Sequence, residues 1–188
     1  TTNIDNGTVI ISDQAALGAA TNAILVNGFS ARGRGAGSLF LDGTSSSVTI
    51  DRNLTIRGSG PITDRGSSIL SAGDNTISGN ITAVSGNNNS RITSLNGTLT
   101  MAGTFSTAGA TGTAQNQRNE FGGVNDVSVG NYALTGTLTG DGSLFFGGGG
   151  VFLLDPSTST GFSGRLRLSP GSFTQSSVRI VNQGVIGT

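Results

Sequence analysis

Short strings of apolar and β-branched residues, each closed by Gly, Asn, Asp or Ser, recur along the whole chain and limit what it can fold into. Leu39-Phe40-Leu41 and Leu144-Phe145-Phe146 are examples. Strings this short match strands that are bounded by tight turns rather than helices. The one helix-like stretch, residues 13–17, is closed at once by Gly18, so we expect a single turn there. An all-β fold is therefore predicted.

Apolar residues alternate with Thr, Ser or Arg inside many strings, so that Val48 and Ile50, for example, face one side of a strand. Nine Phe and one Tyr are few for the core of a sandwich of 188 residues. A coil of short strands needs fewer large side chains, because each rung buries only a few. We therefore predict a single β-solenoid module over residues 1–188, a parallel β-helix with short strands and Gly, Asn and Asp turns. Rungs of about 20 residues would give about nine rungs and a rod about 40 Å long.

Charge and composition exclude several classes of function. Ten Arg balance nine Asp and one Glu, so no long-range field would attract nucleic acid. No apolar run approaches the length of a membrane span. The chain lacks Cys, which is compatible with an exported protein that has no disulfides.

Catalytic residue types are scarce. The chain has no His, Cys or Lys, a single Glu at position 120 and a single Tyr at position 132. Triads, thiolate chemistry and soft metal sites are therefore ruled out, and we predict no enzyme, no cofactor and no metal. The enzymatic alternative left open is a glycosidase with paired carboxylates. Its candidate residues are Asp42, Asp51, Asp64 and Asp74, although Asp in turns usually accepts hydrogen bonds from its own backbone.

Turn-forming segments give further local expectations. Residues 109–119, Gly109 to Asn119, are rich in Gly, Thr, Gln and Asn and are predicted to form a protruding loop. Gly147 to Gly150 are predicted to form a sharp corner. Asn and Thr at successive turns are expected to form hydrogen-bond ladders between rungs.

The order of several motifs resembles a known family. Asn6-Gly7-Thr8-Val9-Ile10-Ile11-Ser12-Asp13 with Ala16-Leu17-Gly18 resembles its "GTL-x-(I/V)-SSD-x-ALG" element. Ile77-Ser78-Gly79-Asn80-Ile81 resembles "ISG-x-I", and Leu95-Asn96-Gly97-Thr98-Leu99-Thr100-Met101-Ala102-Gly103 resembles "GTLTLSG". The family is the autotransporter-associated β-strand repeat of large bacterial surface proteins. This resemblance implies a right-handed β-helix outside the cell or on the cell surface of a bacterium, and it brings no catalytic residue.

The two ends of the chain resemble each other. Ile4-Asp5-Asn6-Gly7-Thr8-Val9-Ile10 is similar to Ile180-Val181-Asn182-Gln183-Gly184-Val185-Ile186, as if the chain were one period of a larger array. No capping helix or charged plug is evident at either end, so both ends are expected to be open for stacking. The residues predicted to take part in self-association are Ile4, Val9, Ile10, Ile180, Val185 and Ile186.

Head-to-tail stacking into a fibre or long rod is therefore the predicted function, and the predicted partner is a second copy or an adjacent repeat. The alternative is an adhesin stalk whose loop, residues 109–119, binds a surface glycan or a matrix protein. A polysaccharide-degrading enzyme ranks third.

Overall fold

A computed structural model describes residues 1–19, 21–28, 36–61, 66–84, 89–108, 119–122, 130–157, 161–168 and 176–181. Within these ranges the regular secondary structure is nearly all β-strand, with a single 3₁₀ turn at Gln14–Leu17. The strands, in chain order, are β1 (Thr2–Ile4), β2 (Gly7–Ile11), β3 (Ile24–Asn27), β4 (Gly37–Gly43), β5 (Thr49–Ile50), β6 (Leu54–Arg57), β7 (Ile69–Gly73), β8 (Asn75–Ile77), β9 (Ile81–Val84), β10 (Ser90–Ser94), β11 (Thr98–Met101), β12 (Phe105–Ala108), β13 (Asn119–Phe121), β14 (Asn131–Leu134), β15 (Leu138–Gly140), β16 (Leu144–Phe146), β17 (Gly150–Leu154), β18 (Leu166–Leu168) and β19 (Ser176–Ile180).

The strands form three parallel sheets, and the chain visits the sheets in turn. The first sheet has the order β1-β3-β6-β9-β12-β15, the second β18-β16-β13-β10-β7-β4-β2, and the third β19-β17-β14-β11-β8-β5. Strands within a sheet pair with the strands one turn earlier and one turn later, which defines a β-solenoid. The predicted fold class, a β-solenoid of parallel strands, is confirmed.

The predicted rung length of about 20 residues is too short for most turns. Tyr132 pairs with Phe152, a separation of 20 residues, but Phe105 pairs with Leu138, a separation of 33. Longer turns mean fewer of them, so the expectation of nine rungs and a rod of about 40 Å was wrong. The seven strands of the second sheet, at the sheet spacing of about 4.8 Å, give a rod of about 29 Å. Corner loops of unequal length account for the difference, because periodicity within strands carries no information about them.

Inward-facing side chains of the three sheets fill one continuous core. Val48 and Ile50 are buried as the alternation predicts, and Thr49 between them is exposed. The described core residues before Phe105 are almost all aliphatic, whereas later turns contribute rings. Phe121 contacts four of these rings with centroid distances of 4.8 to 5.7 Å. The coil therefore has an aliphatic N-terminal part and an aromatic C-terminal part.

Glycines let the corners of successive turns stack closely. A Cβ atom on Gly103 would overlap the carbonyl oxygen of Gly79, and one on Gly136 would overlap the carbonyl oxygen of Gly103. These three glycines form a column at the corner that leads from the third sheet to the first. Any side chain in this column would push adjacent turns apart. The corner predicted at Gly147 to Gly150 is also present, between β16 and β17.

Asparagine and aspartate side chains form part of the expected ladder between turns. The Asn53 carboxamide oxygen accepts a hydrogen bond from the Asn80 N–H at 3.2 Å, and the Asn80 oxygen accepts one from the Thr104 N–H at 3.0 Å. Asp74 accepts one from the Thr98 N–H at 2.8 Å. Backbone donors at corners, which have no strand partner, are thereby satisfied by the turn below.

Candidate functional site

The two ends of the coil are the candidate site, because each sheet presents an edge strand there. In the described residues the N-terminal edges are β1, β2 and β5, and the free C-terminal edges are β18 and β19, because β15 is bridged in parallel to Phe162. An edge strand carries a row of backbone N–H and C=O groups that can pair with another chain. Each end therefore offers two outermost parallel strands for pairing, β1 and β2 at the N-terminal end and β18 and β19 at the C-terminal end.

A 3₁₀ turn stands where the first turn of the coil would place a strand of the third sheet. Asp13 caps this turn by accepting a hydrogen bond from the Ala15 N–H at 2.9 Å, and Gly18 closes it with φ at 73°. β5 is therefore the first strand of the third sheet within the described ranges. The sequence predicted a single turn here, which is confirmed, but not its place in the coil.

Arg52 ties this turn to the body of the coil. Its guanidinium donates hydrogen bonds to the carbonyl oxygens of Leu17 at 2.9 Å and Ala19 at 2.7 Å, and to that of Gly18. The Arg52 side chain is buried, and its Nε lies 3.8 Å from the Asp51 carboxylate. The planar guanidinium suits this role because it directs several donors at once. The N-terminal end is therefore partly closed, which corrects the expectation that neither end carries a capping element.

Charge differs between the two ends. Residues 1–28 contain Asp5 and Asp13 and no basic side chain, whereas residues 161–188 contain Arg165, Arg167 and Arg179 and no acidic one. Asp5, Asp13 and these three arginines are all exposed. One end of the coil is therefore acidic and the other basic. The zero net charge of the whole chain concealed this separation, and a count of charge by turn would have revealed it.

Apolar side chains are also exposed near both ends. At the N-terminal end Ile10 is 60% exposed, and at the C-terminal end Leu168 and Val181 are 51% and 50% exposed. Large apolar side chains that are half or more exposed at an edge favour contact with another surface.

The residues predicted for self-association differ in how available they are. Ile10 is exposed on β2, and Val9 is partly buried against the core. Ile180 on β19 is also partly buried. Ile4 is only 2% exposed, so its side chain already belongs to the core and can contribute only through the edge of β1. Val185 and Ile186 lie outside the described residues.

The similar strings at the two ends occupy different sheets. Ile4 ends β1 in the first sheet, but Ile180 ends β19 in the third sheet. They are therefore not equivalent positions of the coil. The array hypothesis stays a prediction, and this pair of strings does not support it structurally.

The carboxylates proposed for a glycosidase make local contacts where the structure describes them: Asp42 lies in β4, and Asp51 and Asp74 lie outside the strands. Asp42 accepts a hydrogen bond from the Thr44 hydroxyl at 2.6 Å, Asp74 accepts one from the Thr98 N–H, and Asp51 lies beside Arg52. Asp64 lies outside the described residues. Within the described ranges no three His, Cys, Asp or Glu side chains are grouped as metal ligands would be. The expectation that the chain is not an enzyme stays a prediction.

The loop predicted at residues 109–119 lies almost entirely outside the described residues. Asn119, its last residue, does not protrude, because it begins β13 and is buried. Its neighbour Glu120 forms a buried ion pair with Arg91, with 3.0 Å between the Arg91 Nη2 and the Glu120 Oε2. This pair joins β10 to β13 on the outer face of the second sheet, and the sequence analysis did not predict it.

None of the helical segments in the described part of the chain is long and apolar enough to cross a membrane. The chain matches no family model, no curated protein and no solved structure.

Proposed function

We propose that this protein is a structural rod unit that stacks head-to-tail with copies of itself or with adjacent repeats. The observation that carries the proposal is that each end has edge strands and that the two ends have opposite charge. The N-terminal end has Asp5 and Asp13, and the C-terminal end has Arg165, Arg167 and Arg179. Unlike charges attract across a head-to-tail contact, whereas a head-to-head contact would bring like charges together.

Strand direction supports the same arrangement. All described strand pairs within the three sheets are parallel. Translation of a second copy along the rod axis continues this parallel pairing, whereas a two-fold axis between two N-terminal ends would make the new pairs antiparallel. A contact between unlike ends does not close on itself, so it generates an open fibre.

The resemblance to the autotransporter-associated β-strand repeat supports a place for such a rod outside a bacterial cell or on its surface. The lack of Cys agrees with export. The function would then be mechanical: to space, coat or extend.

Light scattering over a concentration series tests the proposal. We expect the mean mass to rise steadily without a plateau at the dimer, and to fall when salt is added, because exposed charges are screened. The variant Arg165→Glu/Arg167→Glu should need at least about a tenfold higher concentration for the same mean mass. Arg57→Glu is the matched control, because Arg57 is exposed on the side of the coil. A constant monomer mass would refute stacking, and an equal effect of both variants would refute the role of the ends.

A further inference from the structure

The second sheet runs the whole length of the coil, from β2 at the N-terminal end to β18 at the C-terminal end. Among the described residues each of these two strands pairs on one side only, β2 with β4 and β18 with β16. β2 of a second copy would therefore be the next strand of the sheet after β18. The third sheet cannot continue in this way, because the 3₁₀ turn stands where a strand before β5 would lie.

One column of core-facing side chains shows the register in which the second sheet would continue. The column begins at Val9 on β2 and ends at Leu168 on β18. Five residues lie between these two in the described strand pairs, and each is at most 3% exposed: Leu39, Ile69, Ile92, Phe121 and Phe146. Leu168, at the end of the column, is 51% exposed. Val9 of a second copy would cover Leu168 and extend the column by one strand.

The backbone of β2 is oriented for this pairing. The Gly7 N–H donates a hydrogen bond to the Ala36 carbonyl oxygen at 3.0 Å, on the side of β4. Consecutive residues of a strand direct their peptide groups to opposite sides. Val9 therefore directs its N–H and C=O toward β4, as Gly7 does, and Ile10 directs its own toward the edge of the sheet.

The backbone of β18 has the complementary orientation. The Leu144 N–H donates a hydrogen bond to the Arg165 carbonyl oxygen at 2.8 Å, so Arg165 directs its peptide groups toward β16. Leu168, three residues later, directs its own away from β16. With Leu168 opposite Val9, the Ile10 N–H of the next copy would donate to the Leu168 carbonyl oxygen. A shift by one residue would lose this match and turn the core-facing side chains outward.

Charge at the neighbouring corner favours the same register. Asp5 lies between β1 and β2, Arg165 immediately precedes β18, and both side chains are exposed. With Leu168 over Val9, Arg165 would lie opposite Asn6 of the next copy and beside its Asp5. A carboxylate and a guanidinium would then approach each other across the contact. An exposed pair of this kind adds little affinity, but it favours the contact between unlike ends.

We propose that β18 of one copy pairs in parallel with β2 of the next, with Leu168 over Val9 and Arg167 over Thr8. This inference rests on the proposed head-to-tail stacking and specifies the strands that meet and their register. The 3₁₀ turn of the next copy would lie over β19. The second sheet would therefore continue from copy to copy, whereas the third sheet would be interrupted at each junction.

Disulfide cross-linking tests the register, because the chain contains no Cys. Thr8→Cys and Arg167→Cys are prepared as separate proteins; both positions are exposed. Directly opposed residues of neighbouring strands lie within the Cα separation that a disulfide requires. We expect a mixture of the two variants to yield a covalent heterodimer under mild oxidation, and each variant alone to yield little. The double variant should yield a ladder of covalent oligomers, because its two cysteines lie at opposite ends of the coil.

A matched pair of cysteines controls for the register. Ile10 is 60% exposed on the same strand as Thr8, about 7 Å further along it. Ile10→Cys mixed with Arg167→Cys should therefore cross-link at least about fivefold more slowly than Thr8→Cys mixed with Arg167→Cys. Faster cross-linking of the Ile10 pair would overturn the proposed register.

The remaining outcomes separate the strand pair from the function. Homodimers of Thr8→Cys in preference to heterodimers would overturn the strand pair and favour head-to-head contact. Scattering that grows with concentration, without the heterodimer, would overturn the strand pair and leave stacking in place. Monomers in both experiments would overturn both.

Leu168→Asp tests the apolar part of the contact. The variant would place a carboxylate against Val9 of the next copy, so it should need at least about a tenfold higher concentration for the same mean mass in light scattering. Val151→Asp is the matched control, because Val151 is 42% exposed on the side of the coil. It should change that concentration by less than about twofold. Equal effects of the two variants would remove Leu168 from the contact.

Discussion

The N-terminal and C-terminal parts of the coil are built differently although they share one fold. The N-terminal turns have an aliphatic core, a 3₁₀ turn held by Arg52, and acidic side chains at the end. The C-terminal turns have a core of stacked rings, exposed apolar residues such as Leu168, and basic side chains at the end. The rod therefore has a chemical direction along its axis. A unit with two unlike ends meets the first requirement for head-to-tail assembly.

Buried polar groups differ between the parts as well. Asn75, the first residue of β8 in the third sheet, accepts a hydrogen bond from the Val48 N–H at 2.8 Å. Its amide donates to the carbonyl oxygens of Leu41 and Ala72 and to the Ser71 hydroxyl. Asn119 is equally buried, but neither its Nδ2 nor its Oδ1 has a hydrogen-bond partner among the described residues. The Asn75 amide therefore ties turns together, whereas the Asn119 amide makes no such tie among the described residues.

Phe121→Ala should have the largest effect on stability, because Phe121 is the ring that contacts Phe105, Tyr132, Phe146 and Phe152. We expect a loss of about 3–5 kcal/mol in the free energy of unfolding, measured by urea denaturation. Ile77→Ala is the control in the aliphatic turns and should cost about 1 kcal/mol less. If Ile77→Ala proved the more costly change, the aromatic cluster would not be the stronger part of the core.

Asn75→Ala should cost about 3 kcal/mol, because it leaves the Val48 N–H and the carbonyl oxygens of Leu41 and Ala72 buried with one partner fewer. The same denaturation experiment measures it. A loss below about 0.5 kcal/mol would mean that water replaces the carboxamide and that Asn75 does not tie the turns together.

Arg52→Ala should cost about 2 kcal/mol, because the carbonyl oxygens at residues 17–19 lose a buried, charged donor. Amide hydrogens of residues 14–19 should then exchange faster in the variant than in the unsubstituted protein, and the core strands should change less. Arg57→Ala, at an exposed arginine, is expected to change stability by less than about 0.5 kcal/mol. Unchanged exchange in residues 14–19 would contradict the role given to Arg52.

Asn119→Leu should stabilise the protein by about 1 kcal/mol, since an apolar side chain of similar size replaces two buried polar atoms that have no hydrogen-bond partner among the described residues. Its sign is opposite to that of Asn75→Ala, which makes the two variants a matched pair. A destabilised Asn119→Leu would show that the carboxamide has a partner after all.

Most of the fold could be predicted from the alternation of apolar and polar residues within the strands. The burial of Val48 and Ile50 and the end of the 3₁₀ turn at Gly18 could be predicted, because the period of side chains along a strand and the chemistry of turns are local properties. The number of turns was not, because it depends on corner loops that interrupt the period. Arg52 gave no signal either: its three acceptors lie 33 to 35 residues away in the chain.

The residues of the association site could be predicted only in part from the sequence. Exposure of Ile10 follows from its outward position on an edge strand, but the burial of Ile4 required knowledge of what packs beneath it. The similarity of the end strings suggested equivalence, yet strings rich in Gly, Asn and Ile fit any corner of the coil, and these two fall in different sheets. The 3₁₀ turn that takes the place of a strand in the first turn could not be predicted either, because its position depends on the assembled coil.

Electron microscopy of the purified chain across a concentration series tests the central claim most directly. Head-to-tail stacking predicts unbranched fibres, one solenoid wide, that lengthen with concentration and shorten with salt. Isolated particles of constant size at every concentration, or pairs that never extend, would contradict it.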